Sequence, residues 1–126
     1  MIEAKTMLSM AKTLILPAIE NYSTRIAAAA AAKKAVCPDL KLGYEMKVIE
    51  RLSALMDEIV TYTEELQKAV EEEQHKRTGE EKANHVRDQV KEAMSRLRTP
   101  CDEAETIVAK TDWPMPTYAD ILLSTR

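Results

Sequence analysis

The sequence is poor in the residues that form tight turns and in aromatic residues. Its 126 residues include two glycines, one tryptophan and no phenylalanine. Because glycine supplies the positive backbone angles of many tight turns, so few glycines argue against a β-sandwich or another turn-rich fold. Apolar residues make up 45% of the chain and charged residues 31%, a balance typical of a globular domain. The length suits one domain, residues 1–126.

Other features that the sequence lacks argue against several classes of function. No apolar run approaches the ~20 residues of a membrane span, and no basic region precedes an apolar core as in a secretory signal. The net charge of -3 gives no electrostatic reason to expect binding to nucleic acid or to an anionic membrane. The two cysteines, Cys37 and Cys101, are fewer than a disulfide-stapled small domain usually has. We therefore expect a cytoplasmic protein with reduced thiols.

Apolar residues recur at helical spacing along three segments, which predicts an all-α fold. The first helix covers about residues 2–35, and Pro17 should kink it near residues 13–16 because proline cannot donate a backbone hydrogen bond. The second helix covers about residues 40–76, after a break at Cys37-Pro38-Asp39. The third covers about residues 80–110. Pro100 lies on its apolar seam and either kinks or breaks it, and both possibilities stay open.

Each predicted helix has an apolar face. The predicted face positions are Ala4, Leu8, Ala11, Ile15, Ala18, Tyr22 and Ala29 in the first helix, Ile49, Leu52, Met56, Ile59, Leu66 and Val70 in the second, with Thr63 as a polar gap, and Ala83, Val86, Val90, Ala93, Leu97, Ala104 and Ile107 in the third. Three such helices with short connections predict an elongated, antiparallel up-down-up three-helix bundle. The pattern already runs at Ile2 without a capping residue before it, so we expect a piece of something larger, with a native start and a frayed first turn as the alternative.

The final segment, residues 111–126, differs in composition from the helices. Its prolines at 114 and 116 exclude a regular helix there, and Thr117 resembles the cap of a short helix over Tyr118–Leu123. The segment holds Trp113 and several other large apolar residues, which is too many for a tail in free solvent. We expect a Pro-rich tail that ends in a short helix and folds back, with Trp113 against the third helix. An exposed tail that mediates association is the alternative.

Titratable and nucleophilic residues form no catalytic pattern. His75 and His85 flank one turn near several glutamates and could hold zinc, but neither lies on an apolar seam, so a solvated face is the better interpretation. A phosphorelay role for His85 is weakened by Asp88, which would repel phosphate. Arg87 and Asp88 form either a surface ion pair or an anchor for a neighbouring domain. The sequence has no glycine-rich phosphate loop or CxxC motif, so we expect no catalytic, cofactor or metal residue.

Short blocks along the whole chain carry a family resemblance. They are Ile2–Leu8, Ile15–Ala18, Leu52–Leu55, Val86–Val90, Ala93-Met94, Leu97-Arg98, Asp102–Glu105 and Trp113–Leu123. Together they resemble the C-terminal helical region of type III glutamine synthetases, whose last block reads tryptophan-proline-x-proline-threonine-tyrosine. The chain departs from that pattern at Leu123, where the family often has phenylalanine, at Asn84–Val86, where it often has aromatic residues, and at Pro100.

The resemblance implies a parent enzyme that joins ammonia to glutamate with ATP and a divalent metal, Mg or Mn, in a preceding catalytic domain. It implies that this chain is not an enzyme by itself and serves structure or subunit assembly. The implied partners are the catalytic domain of the same polypeptide and neighbouring subunits of a ring-shaped homo-oligomer. The candidate docking residues are Trp113, Pro114, Tyr118, Ile121, Leu122, Arg87 and Asp88. A free-standing helical adaptor or scaffold is the alternative, and a phosphorelay or metal-binding bundle is a weaker one.

Overall fold

In a computed structural model of the protein, the described backbone covers residues 2–75 and 80–113, with side chains over 3–73 and 87–113. This part of the chain is all-helical, which confirms the predicted fold class. Its elements are α1 (Ile2–Met10), a π-helical segment (Ala11–Ile15), α2 (Leu16–Val36), α3 (Gly43–His75) and α4 (Glu80–Ile107). The first three follow one another without a break and are called the first helical run. None of these helices is long and apolar enough to cross a membrane.

The first helical run accommodates Pro17 with a π-helical turn. The backbone N–H of Leu16 donates to the carbonyl of Ala11, five residues back, instead of the usual four. Pro17 then lies in the first turn of α2, where its missing N–H costs least. The predicted kink region therefore contains a π-helical turn, and the helix continues to Val36, one residue beyond the predicted end.

Beyond the π-helical turn, the buried face of α2 agrees with most of the predicted positions. Ala18 and Tyr22 are buried as predicted, and Ile19 is fully buried beside them. Further along α2, Ala30 is buried, whereas the predicted Ala29 is only half-buried. The prediction for Ala29 was therefore wrong by one position.

The second helix begins later than predicted, at Gly43 instead of residue 40. Cys37 ends α2 in an extended conformation, and the N–H of Leu40 donates to its carbonyl at 3.1 Å. Leu42 adopts a left-handed backbone conformation, with φ of 52°, and its carbonyl accepts the N–H of Met46 at 3.0 Å. A turn therefore separates α2 from α3, and the break predicted at residues 37–39 is confirmed.

The third predicted helix corresponds to α4, which continues through Pro100. A break at Pro100 is therefore wrong, and the Pro100 side chain is buried within the helix. α4 ends at Ile107, three residues earlier than predicted, and the N–H of Val108 donates to Ala104 at 2.9 Å. A turn at residues 110–112 then leads to Trp113.

One cluster of buried side chains joins all the helices. Its members in α3 and beyond are Val48, Leu52, Leu55, Ile59, Leu66, Val70, Val90, Ala93, Leu97, Cys101, Ala104, Val108 and Trp113. α3 contacts both α2 and α4, so it is the central element of the described fold. Each fully buried leucine or isoleucine contributes roughly 1.5–3 kcal/mol by leaving water. Thr63, the predicted polar gap, is also buried, and its hydroxyl has no hydrogen-bond partner in the described part of the chain.

Candidate docking site at the end of α4

Trp113 is the last described residue and lies in the protein core, with 7% of its surface exposed. Its backbone N–H donates to the carbonyls of Ala109 at 3.2 Å and Lys110 at 3.3 Å, which fixes the turn that follows α4. Its indole N–H is buried and finds no acceptor among the described residues. The expected docking of Trp113 onto the helices thus agrees with its burial. A tryptophan buried in the monomer anchors the chain and is not itself free to contact another subunit.

An ion pair fixes the same turn to the first helical run. The guanidinium of Arg25 donates to both carboxylate oxygens of Asp112, at 2.9 and 2.5 Å. Arg25 also lies 5.7 Å from the ring centre of the buried Tyr22, within the range of a cation–π contact. The Asp112 side chain is only 17% exposed. This paired, two-point geometry holds the end of α4 against α2 more specifically than a single surface contact would.

The first turn of α3 reaches the same site. Hydrogen bonding with Tyr44, with a further contribution from burial, raises the pKa of Tyr22 above its ordinary value. Tyr44 itself is 64% exposed. At the next residue of α3, the carboxylate of Glu45 lies 2.8 Å from the ammonium of Lys33, which holds the pKa of Glu45 below its usual range. The turn after α4 is thus tied to the middle of α2 at Arg25, and the end of α2 is tied to the start of α3 by Lys33 and Glu45.

The other candidate docking residues are placed differently. Arg87 and Asp88 are both exposed, and neither has an ion-pair partner among the described residues. Neighbouring positions on a helix point in different directions, which is why these two do not pair with each other. The remaining candidates, Pro114, Tyr118, Ile121 and Leu122, lie outside the described residues.

The two cysteine thiols differ in exposure and in reactivity. Both cysteines are free, as predicted, with Cys37 exposed and Cys101 buried. Burial, together with the nearby charge of Asp102, raises the pKa of Cys101 to about 11, so its thiol is a poor nucleophile. The side chains of His75 and His85 lie outside the described ones. Over the side chains that are described, no three His, Cys, Asp or Glu residues are grouped to hold a metal ion.

Two grooves open between the first helical run and its neighbours. One, of about 410 Å³, lies against α4 and has Met7, Met10, Ile15 and Cys101 on its apolar wall. The other, of about 330 Å³, lies against the end of α3 and is bordered by charged and polar residues such as Lys5, Lys12, Gln67 and Glu71. In the second, the Lys12 ammonium donates to the Gln67 amide oxygen at 3.2 Å. Neither groove includes a candidate docking residue.

Sequence reasoning identified Trp113 but missed the residues that hold it in place. Arg25 and Asp112 are 87 positions apart, and no local pattern links them. Tyr44 was not assigned to any seam, because it lies before the periodic part of α3. The comparison of this chain with protein-family models, with curated proteins and with solved structures finds no match in any of the three.

Proposed function

We propose that this chain is the non-catalytic C-terminal helical domain of an enzyme that resembles type III glutamine synthetase. The parent would join ammonia to glutamate with ATP and a divalent metal bound in its catalytic domain. The observation that supports this role best is the burial of Trp113, the first residue of the resembling terminal block. A sequence block whose first residue is buried in the core helps to stabilise the fold of the domain. The helices would therefore support structure or subunit assembly in the cytoplasm.

The proposed arrangement is an elongated antiparallel up-down-up bundle. Its support comes from the order of polar contacts between helices. Lys33 pairs with Glu45 and Lys12 with Gln67, so residue numbers fall along the first helical run as they rise along α3. In the same way, Arg51 pairs with Glu103, while Arg96 lies 3.9 Å from Glu65.

Paired spin labels test this arrangement. Labels at Lys5 and Glu71, which border one groove, should lie within about 20 Å of each other, whereas labels at Lys5 and Lys47 should be about 40 Å apart at 1.5 Å per residue. Both native cysteines are replaced first, so that only the introduced ones carry labels. Similar distances for the two pairs would contradict the antiparallel order.

The partners in this proposal are the catalytic domain of the same polypeptide and adjacent subunits of a ring-shaped homo-oligomer. Arg87 and Asp88 suit an interface, because both are exposed charges on α4 with no described ion-pair partner. Exposed apolar residues on the first helical run and α3, Leu14 at 39% and Val60 at 43%, add surface that a partner could cover. A polar rim around such residues is the usual composition of a protein interface.

The decisive experiment is to sequence the gene upstream of codon 1. An open frame of several hundred codons that encodes an ATP-dependent ligase domain is expected. A stop codon directly upstream would overturn the proposal and favour a free-standing helical scaffold.

In the extended protein, Arg87→Asp should weaken assembly, as measured by sedimentation velocity. Lys68→Asp is the matched control, since it reverses an exposed charge on α3. Equal assembly of both variants would exclude Arg87 as an anchor.

The isolated chain offers a second test. Its described residues include no metal-ligand cluster, and its sequence has no phosphate-binding loop, so titration calorimetry with MgATP should show no saturable heat. Saturable micromolar binding would contradict a purely structural role and would direct attention to the charged groove near Lys5 and Lys12.

A further inference from the structure

One stripe along the exposed side of α2 carries a charge only at each of its ends. Its residues recur at spacings of four and three, which places them on one face of a helix, and they are Glu20, Thr24, Ala27, Ala31 and Lys34. We call these five residues the outer stripe. All five are exposed, and so are Ala28 and Ala35 beside it. A helix face in free solvent usually carries polar and charged residues throughout, so a centre of alanines favours a surface with a neighbour.

The outer stripe is not used in the packing of the described helices. α2 packs against α3 through its opposite face, where Ile19, Tyr22 and Ala30 are buried. The charges at the two ends of the stripe are not used either, since neither Glu20 nor Lys34 has an ion-pair partner among the described residues. Both end charges are therefore available to a partner.

The arrangement of charges on the outer stripe selects the partner. Glu20 and Lys34 lie seven residues before and after Ala27, which is about 10 Å each way along the helix. Opposite charges at equal distances from one residue are complementary to the same surface turned end for end. We propose that the outer stripe binds the outer stripe of a second copy of this chain, in antiparallel order around a twofold axis at Ala27.

In this dimer, Glu20 of each copy lies opposite Lys34 of the other, so the twofold axis repeats the ion pair. Parallel order would instead set like charges against each other, which costs free energy. Alanine has no side chain beyond Cβ, so the two helices can approach closely along Ala27 and Ala31. The pairing goes beyond the proposed function and does not depend on the parent enzyme, because it concerns this chain alone.

Charge reversal tests this dimer. Sedimentation equilibrium of the full chain at low ionic strength, where exposed ion pairs are least screened, should show a monomer–dimer equilibrium. Glu20→Lys and Lys34→Glu each turn both ion pairs into repulsion, so each should raise the dissociation constant about tenfold. An equimolar mixture of the two variants should associate as well as the unaltered chain, because each variant then meets the opposite charge at both ends of the stripe.

A second pair of variants locates the twofold axis. Ala27→Arg places two guanidinium groups against each other at the axis and should abolish the dimer, and arginine forms helix nearly as well as alanine does. Ala54→Arg is the matched control, since Ala54 is an exposed alanine on α3, and it should leave the dissociation constant unchanged. A chain that stays monomeric up to about 1 mM would overturn the proposal. A mixture of the two charge-reversed variants that associates no better than either alone, or equal losses in Ala27→Arg and Ala54→Arg, would overturn it as well.

Discussion

Replacing Pro100 with alanine should stabilise the protein, although Pro100 is buried. Inside a helix, proline removes the hydrogen bond to the carbonyl four residues earlier, and its ring crowds that carbonyl. The cost relative to alanine is roughly 3 kcal/mol. Alanine would remove buried ring carbons worth about 1–1.5 kcal/mol. Because α4 continues through position 100, the backbone gain applies in full, and the net stabilisation should be about 1.5–2 kcal/mol.

Urea denaturation followed by circular dichroism measures this change. With a slope of about 1.5 kcal/mol per molar, the midpoint should rise by about 1 M in Pro100→Ala. Pro17→Ala is the matched control, since Pro17 is exposed and already lies in the first turn of α2 after the π-helical segment. Its gain should be well below that of Pro100→Ala. Equal gains, or destabilisation by Pro100→Ala, would refute the argument that the two prolines are accommodated differently.

Three further measurements follow from buried or paired groups. Thr63→Val should raise the free energy of unfolding, measured in urea, by about 1 kcal/mol, because it removes a buried hydroxyl without a described partner. A loss of stability would instead reveal a hydrogen bond from that hydroxyl. The lowered pKa of Glu45 contributes stability above its unfolded pKa that disappears as pH falls through the folded one. Thermal melts of Glu45→Gln should therefore fall below wild type at pH 7, and the difference should shrink as pH falls below the unfolded value of about 4.3. A difference that stays constant in acid would contradict this linkage. In a native thiol titration, Cys37 should react without unfolding, whereas Cys101 should react only through unfolding. The reason is that about one Cys101 thiol in a thousand is ionised at pH 8. Equal rates for the two thiols would exclude a buried Cys101.

Helical periodicity predicted the fold class and most of the core, because burial of one helix face is a local property of the sequence. Leu52, Ile59, Leu66 and Leu97 were assigned to seams and are fully buried. Periodicity was wrong near the end of the first helical run, where Ala30 is buried and the predicted Ala29 is only half-buried.

The candidate site was predictable only in part. Trp113 was identified because a lone tryptophan between helix and prolines is costly to leave in water. Its supports, Arg25 and Asp112, come from opposite ends of the chain, and only the tertiary fold brings them together. The start of α3 was also missed, because Leu42 takes the left-handed conformation that the adjacent Gly43 would adopt more easily. Residue type alone therefore pointed to the wrong boundary.

The Arg25–Asp112 ion pair also constrains the order in which the chain can fold. It closes a segment of 87 residues, whereas Arg51–Glu103 closes 52 and Lys33–Glu45 closes 12. Closing longer segments costs more chain entropy, so contacts near in sequence should form first. During synthesis the first helical run leaves the ribosome long before Asp112 and Trp113 exist. Tyr22 must therefore remain without these neighbours until Asp112 and Trp113 have emerged, long after its own helix is made.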